Sequence, residues 1–520
     1  MQIVSAHETE KRGYNYMLKY KITYTHLTEN KNFILFLKVL LFLLLAYPPI
    51  FLHLDTLPIR IWDESRLAIN AYEMHKYGNY LIPHFLGTPD MWNTKPPLMI
   101  WFQVFFIKLL GVNELSIRLP SAIAAFLTCC TLLWFSIRHI KNYWVGLIAV
   151  LILVTSHGYI NFHASRTGDY DALLTLFTTL FCFSYFLFLE TNSKKYLHLF
   201  FTALILAVLT KSIQGGFFLP ALLIYTLIKR KFRSLIKSKM FWVDLIISIT
   251  IIASYYLLRE KYNPGYLQAV WDNELWGRYI QTNEGHKQDF WYYYHNLIAF
   301  QFSFWYWLIP CGITIGCTIK NKQIRNTTFF STITGLIYLL TISLAQTKLE
   351  WYDAPLYPFL AIIGAVPIFW LFSIVKNSHY LTEQFKINTV PYAFLFFIFL
   401  TPYKIIIDKV YCPKEYDWDK EFYSLSAYLQ DAVNEKHNVN NRFLCYSECN
   451  SHLLLYVNIL NDNGKQVGFK DWRSLKPGNM IITSEPEVRN YIDKHYSYDI
   501  IESYYNIITY KIRESVTTNN

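Results

Sequence analysis

Residues 33–53 read FILFLKVLLFLLLAYPPIFLH. Lys38 is the one Lys or Arg in the run, and at about 1.5 Å of rise per residue a helix of this length spans roughly 30 Å, the thickness of a bilayer's hydrocarbon core. The preceding residues are polar and carry Lys11, Arg12, Lys19, Lys21 and Lys31, and no small-residue cleavage site follows. The stretch therefore reads as a retained membrane anchor rather than a removed signal peptide.

Working outward, comparable runs occupy 117–137, 143–160, 171–189, 241–258, 296–318, 327–345, 354–375 and 388–407. Two shorter ones, 197–210 and 213–228, flank Thr210-Lys211-Ser212 and bring the expected spans to eleven. Residues 97–111 are apolar but too short and contain Lys108, which suits an interfacial or re-entrant helix. Composition agrees: 53% of the 520 residues are hydrophobic, 18% aromatic and only 16% charged, against about 25% charged in soluble domains. A net charge of +11 does not indicate nucleic acid, because the basic residues lie in short runs between apolar stretches rather than along one soluble face.

With a cytoplasmic N-terminus (1–32), the short inner loops hold fifteen Lys and Arg, including the run from Lys229 to Lys239, and the short outer loops only Arg166, Lys211 and Lys348. That asymmetry follows the positive-inside rule. Lys404 and Lys409 fall at the outer end of the last span, where they can snorkel to the interface. The fold class expected is a polytopic α-helical membrane protein: a transmembrane domain over 33–407 with outer loops 54–116 and 259–295, then a small extracytoplasmic α/β domain over 408–520. In that tail, 419–435 and 485–495 read as helices and 442–447, 479–483 and 498–511 as strands. Cys129, Cys130, Cys182, Cys311 and Cys317 read as apolar packers, while Cys445 and Cys449 have neither zinc nor haem spacing and are candidates for a disulfide.

The first outer loop opens with Trp62-Asp63-Glu64-Ser65-Arg66 ahead of a helical pattern in which Leu67, Ala71 and Met74 share a face. Asp63 can cap that helix, since Asp is a favoured N-cap, or act as a general base that removes a proton from an incoming hydroxyl. Asn caps as well but is no base, so Asp63→Asn separates the two. Further along come His84, between Pro83 and Phe85, and Lys95 before Pro96-Pro97, prolines that hold the chain extended. Isolated polar groups recur at the outer ends of spans: Arg118, Ser165-Arg166-Thr167-Gly168-Asp169-Tyr170-Asp171, Lys211, and Lys348 to Asp353 with Tyr352. Ionisable groups at membrane depth are costly and face cavities or one another. Gathered in one outer cavity, such cations suit an anionic lipid head and a phosphate whose charge grows during reaction. Asp169 and Asp171 can orient those cations, bond a sugar, or ligate a divalent cation through oxygen; two carboxylates alone do not specify a metal, and ion pairing is the simpler role. The loop 259–295 is rich in Trp, Tyr and charge (Trp271, Trp276, Arg278, Tyr279, His286, Trp291 to Tyr294), and its aromatics suit an interfacial belt or a lid over substrate.

Together these motifs resemble the GT-C glycosyltransferases of the protein-mannosyltransferase type, and within them the bacterial aminoarabinose transferases that modify lipid A. The resemblance covers about 55–375. It rests on Asp63-Glu64-Ser65-Arg66, Gly78 to His84, Lys95-Pro96-Pro97-Leu98 with Trp101, Gly111 to Glu114 running into Arg118-Leu119-Pro120, Arg166-Thr167 with Asp171, Thr210-Lys211, and Lys348 with Tyr352, Pro355 and Pro358. It implies inverting transfer of one sugar from a polyprenyl-phosphate donor to a lipid, glycan or protein hydroxyl acceptor at the outer face of the bacterial inner membrane. Membrane lipids would be partners and nucleic acid would not. On matching positions Asp63 would be the base; Lys95, Lys348, Tyr352 and Arg166 would hold the donor phosphate; Glu64, Arg66, His84, Arg118, Asp171 and Lys211 would support them. One departure stands out: Thr94 occupies the place before the Lys where aminoarabinose transferases usually have an acidic residue, which counts against carrying over a metal site.

A transporter is the competing class, but it would show internal repeats and charges near the middle of broken helices. The candidates here cluster at the outer ends of spans.

Overall fold

The computed structural model describes residues 31–161, 163–274, 287–378, 389–446 and 451–515. The chain divides into two compact units, Met1–Pro48 and Pro49–Asn520. Of the first, the described part is the leading portion of the apolar helix Lys31–Phe51.

The protein is a polytopic, mostly helical membrane protein. Among the described residues, eight helices are long and apolar enough to cross a bilayer: Lys31–Phe51, Glu114–Ile140, Asp171–Thr191, Lys194–Gly216, Lys239–Tyr262, Lys322–Leu344, Glu350–Lys376 and Val390–Tyr411. The other three expected spans coincide with shorter apolar helices, Tyr143–Val154, Leu219–Ile228 and Leu308–Thr318. Each is short for a physical reason. Tyr143–Val154 stops where the Thr155 and Ser156 hydroxyls donate back to the Leu151 and Ile152 carbonyls at 2.6 Å, competing with the backbone ladder. Leu219–Ile228 follows a tight turn, Ser212–Gly216, in which a Cβ on Gly215 would lie 2.5 Å from the backbone of Ala207 and Val208. Leu308–Thr318 follows the wider coil of Leu297–Gln301. The helix over 97–111 forms at Leu98–Leu110, thirteen residues, too short to span alone.

Helix Asp171–Thr191 lies at the centre of the bundle, with almost every residue buried. Phe183 stacks on Phe135 with ring centroids 4.2 Å apart, and Phe186, Phe330 and Phe359 close around them. Because lipid tails are as apolar as Leu, such packing rather than a hydrophobic drive holds membrane helices together. Lys239–Tyr262 instead exposes Trp242, Ile246, Ile249 and Leu257, the surface expected against lipid.

Outside the bundle, helix Asp63–Tyr77 ends at Gly78, which takes the left-handed conformation at φ 73°, as helix ends commonly do. A short hairpin follows, β1 (His84–Phe85) with β2 (Thr88–Pro89). The C-terminal region carries a five-stranded sheet in the order β4-β3-β5-β7-β6. Its strands are β3 (Arg442–Leu444), β4 (Val467–Phe469), β5 (Met480–Thr483), β6 (Tyr496–Tyr504) and β7 (Ile507–Ser515), and β3 runs parallel to β4 and β5. Helices Ser424–Val433, Ser451–Asp462 and Pro486–His495 flank it. The single strand read at 498–511 is in fact the β6–β7 hairpin, turning at Tyr505 with φ 53°; no glycine marks the turn. Helix Ser451–Asp462 escaped the reading because it is buried on nearly every face and so shows no amphipathic stripe. Cys445 is a buried free thiol, and Cys449 lies outside the described residues.

The C-terminal region is pinned to helix Asp63–Tyr77 and the residues around it. Arg60 forks onto Glu415 at 2.6 and 2.9 Å. Tyr456 donates to Glu114 at 2.7 Å and accepts from the Ile59 amide at 2.9 Å. Tyr72 and Lys76 both reach Asp462.

Candidate active site

Asp63 is the first residue of its helix rather than the cap. The cap position belongs to Trp62, held at φ 69° with no side-chain cap bond. The Asp63 carboxylate is half exposed and sits 4.0 Å from His163 Nδ1. His163 is itself at φ 63° and lies 3.4 Å from Asp169. Two non-glycine residues in left-handed backbone beside one carboxylate is the strain pattern found at functional sites. Both line a cavity of about 720 Å³ walled by Arg60, Tyr292, Gln301, Glu350, Trp351, Trp418 and Tyr423, among others.

The ligand atoms of Asp63, His163 and Asp169 all lie within 4.8 Å of one another, a set able to hold a divalent cation. Asp169 is fully buried; burial raises its pKa first, the charges of Asp63 and Glu64 add to that, and His163 and Thr167 only partly oppose it, leaving it at about 7. Among the described residues its Oδ1 has no hydrogen-bond partner. Asp171, the other carboxylate of that loop, is committed to Lys211 at 2.6 Å with both side chains buried.

Glu64 anchors the scaffold from the next position. Arg118 grips it through Nε and Nη2 at 2.7 and 3.0 Å. The amides of Arg60 and Gly168 donate to it at 2.7 and 2.8 Å. Burial alone would raise its pKa, but the Arg118 guanidinium and these donors hold it below its usual value. Arg118 also donates to the carbonyls of Leu54, Leu57 and Pro58, tying the chain after the first span to helix Glu114–Phe135. Gly168 fits because a Cβ there would lie 2.5 Å from Ile117 Cγ2 and 2.8 Å from its carbonyl.

Arg66 forks onto Asp90 at 2.8 and 2.7 Å, and Asp90 accepts the amides of Trp92 and Asn93. This fixes the turn that delivers Lys95, which is buried, 3.5 Å from Glu274 and over the Tyr170 ring at 5.4 Å. Thr94 also donates to Glu274 at 3.2 Å. The carboxylate beside Lys95 thus comes from a residue 180 positions after Thr94. Lys211 lies over the Tyr352 ring at 5.0 Å. Lys348 donates to the carbonyls of Ala345 and Gln288 at 2.6 and 3.1 Å, and burial lowers its pKa. A small pocket lined by Glu274, Tyr352, Ala345 and Thr347 brings the surroundings of Lys95, Lys211 and Lys348 together.

Two expected residues stand elsewhere. His84 bonds within its own hairpin, Nδ1 lying 2.9 Å from the Ile82 carbonyl. Arg166 donates to the carbonyls of Pro49, Leu52 and His53 and faces a different cavity. Sequence reasoning missed His163 and Glu274, neither of which carries a local motif, and gave no role to Trp351 within the Lys348–Asp353 segment. Trp276, Arg278, Tyr279 and His286 of the aromatic outer loop lie outside the described residues.

Residues 94–257 match the family described as dolichyl-phosphate-mannose-protein mannosyltransferase. The chain is 16% identical to the crystal structure of ArnT from Cupriavidus metallidurans bound to undecaprenyl phosphate, with a TM-score of 0.69 over 91% of this chain and 97% of that one. The chain shares the fold of that structure, and residues 94–257 are similar to that family's domain. Similar curated proteins include the undecaprenyl phosphate-alpha-4-amino-4-deoxy-L-arabinose arabinosyl transferase of Aeromonas salmonicida, 28% identical over 347 residues, 62% of this chain and 58% of that protein. The enzyme of the same name from Pectobacterium atrosepticum is 25% identical over 61% of this chain and 56% of that protein. The chain thus matches less than two thirds of the length of these relatives.

Proposed function

We propose that this chain is an inverting glycosyltransferase that moves a sugar from a polyprenyl-phosphate donor to an acceptor at the outer, periplasmic face of the bacterial inner membrane, the acceptor being lipid A or another lipopolysaccharide component. One observation carries the reading: the half-exposed Asp63 carboxylate beside His163, which lines a large cavity, in a bundle that also buries Lys95, Lys211 and Lys348. Relatives named as undecaprenyl-phosphate aminoarabinose transferases support the donor class.

Asp63 takes the proton from the acceptor hydroxyl as its oxygen attacks the anomeric carbon from the face opposite the phosphate. The bond between that carbon and the phosphate oxygen breaks, and polyprenyl phosphate leaves with the bonding pair. Lys95, Lys348 and Tyr352 hold the phosphate and stabilise its growing charge in a partly dry site, while Arg166 faces the adjoining cavity instead. Glu64, Arg66, His84, Arg118, Asp171 and Lys211 set the backbone and the cations in place. A divalent cation on Asp63, His163 and Asp169 would supply charge to polarise the acceptor.

The family match over 94–257 favours a second reading, a protein hydroxyl as acceptor. Proteoliposomes given undecaprenyl-phosphate aminoarabinose with either lipid A or a Ser/Thr-rich peptide distinguish them. The main reading expects sugar on lipid A and none on peptide; sugar on peptide alone would replace it.

A further inference from the structure

A second cavity, of about 490 Å³, adjoins the first, and His157, Asn161, Tyr416 and Trp418 line both. Its cations are Arg166, Lys409 and Lys414. Its carboxylates are already used: Glu415 is forked by Arg60 at 2.6 and 2.9 Å, and Asp417 pairs with Lys420 at 2.6 Å. Lys409, at the outer end of helix Val390–Tyr411, donates to the neutral Asn161 side chain at 3.0 Å. Arg166 donates to three backbone carbonyls. Among the described residues neither has a carboxylate partner within 4.0 Å. Two half-buried cations, one of them at the end of an apolar helix long enough to cross a bilayer, therefore face one cavity without a carboxylate partner of their own among the described residues. The remaining wall includes Leu57, Ile160 and Ile405, which suits an acyl chain.

We propose that Arg166 and Lys409 form an anion subsite that takes a phosphate carried by a membrane amphiphile, the acceptor of the transfer reaction, an assignment that rests on the function proposed above. Arg and Lys are the side chains that bind phosphate oxygens most strongly. The shared wall lets a ligand set one anionic group here while another group enters the cavity beside Asp63. Charge at a distance from the reacting bond then selects the acceptor, and neutral amphiphiles of the same chain length are refused.

The test is equilibrium binding of radiolabelled short-chain phosphatidic acid to the full-length protein in phosphatidylcholine nanodiscs, with the matching diacylglycerol as the neutral control. Native protein should bind phosphatidic acid about tenfold or more tightly than diacylglycerol, and Lys409→Gln should abolish the difference. Lys409→Arg should keep it. Arg166→Gln also removes hydrogen bonds to Pro49, Leu52 and His53, so Lys409→Gln at an unchanged melting temperature is the deciding variant. Equal affinity for the two lipids, or undiminished preference in Lys409→Gln, overturns the subsite. Displacement of phosphatidic acid by equimolar inorganic phosphate would assign the site to a free anion and overturn the lipid assignment. No sugar donor is present, so a protein that binds phosphatidic acid but transfers no sugar would sink the proposed function and leave the subsite standing.

Discussion

The His163 ring lies flat on Trp351, centroids 3.6 Å apart and planes 7° from parallel. The stack joins the loop between two spans to the segment that carries Lys348 and Tyr352, and it sets the imidazole between Asp63 and Asp169. Trp351→Ala should cost about 1 kcal/mol of stacking and lower turnover roughly fivefold or more as His163 loses its orientation, while Trp351→Phe should retain most activity. Equal turnover for the Ala and Phe variants in a reconstituted transfer assay would separate the stack from function.

Gly168 packs with no room for a side chain, and its amide feeds Glu64. Gly168→Ala should destabilise the protein by about 1–3 kcal/mol through overpacking. A thermal melt in detergent that is indistinguishable from native would show that Ile117 and Gln103 yield freely.

Arg118 is the counter-ion of a carboxylate that is completely inaccessible to solvent. Arg118→Leu should cost about 3–5 kcal/mol, because it leaves a buried charge unpaired. Adding Glu64→Leu should recover part of that loss, and a strictly additive double variant would contradict the coupling.

Asp169 has a folded pKa of about 7, above that of an unfolded chain. The folded state therefore binds the extra proton, and this group's contribution to stability is full below about pH 4, shrinks as pH rises, and is lost above about pH 7. Melting temperatures between pH 5 and 8 should fall with rising pH, and Asp169→Asn should flatten that slope. An unchanged slope in the variant would place the titration elsewhere.

The sequence made the architecture legible where its physics is local. Runs of about 20 apolar residues mark spans, and the acidic first turn before Leu67 marks helix Asp63–Tyr77. Asp63, Lys95, Lys211 and Lys348 were visible as charges at span ends, where burial is expensive enough to need a reason. His163 was not: one imidazole between apolar residues has no pattern, and its partners Asp63 and Trp351 arrive from distant segments. Glu274 was hidden for the same reason, since nothing near Thr94 reports a carboxylate coming from another helix. The direction of Arg166 depended on which free carbonyls it would find, and those at Pro49, Leu52 and His53 belong to the end of the first helix and the residues after it.

The most direct measurement is single-turnover transfer of aminoarabinose from undecaprenyl phosphate to lipid A by native and Asp63→Asn protein in proteoliposomes, with donor binding measured in parallel. Removing a general base should slow transfer by about 100- to 10,000-fold while donor affinity and melting temperature stay near native. Transfer by Asp63→Asn at the native rate would contradict the assignment of Asp63 as the base.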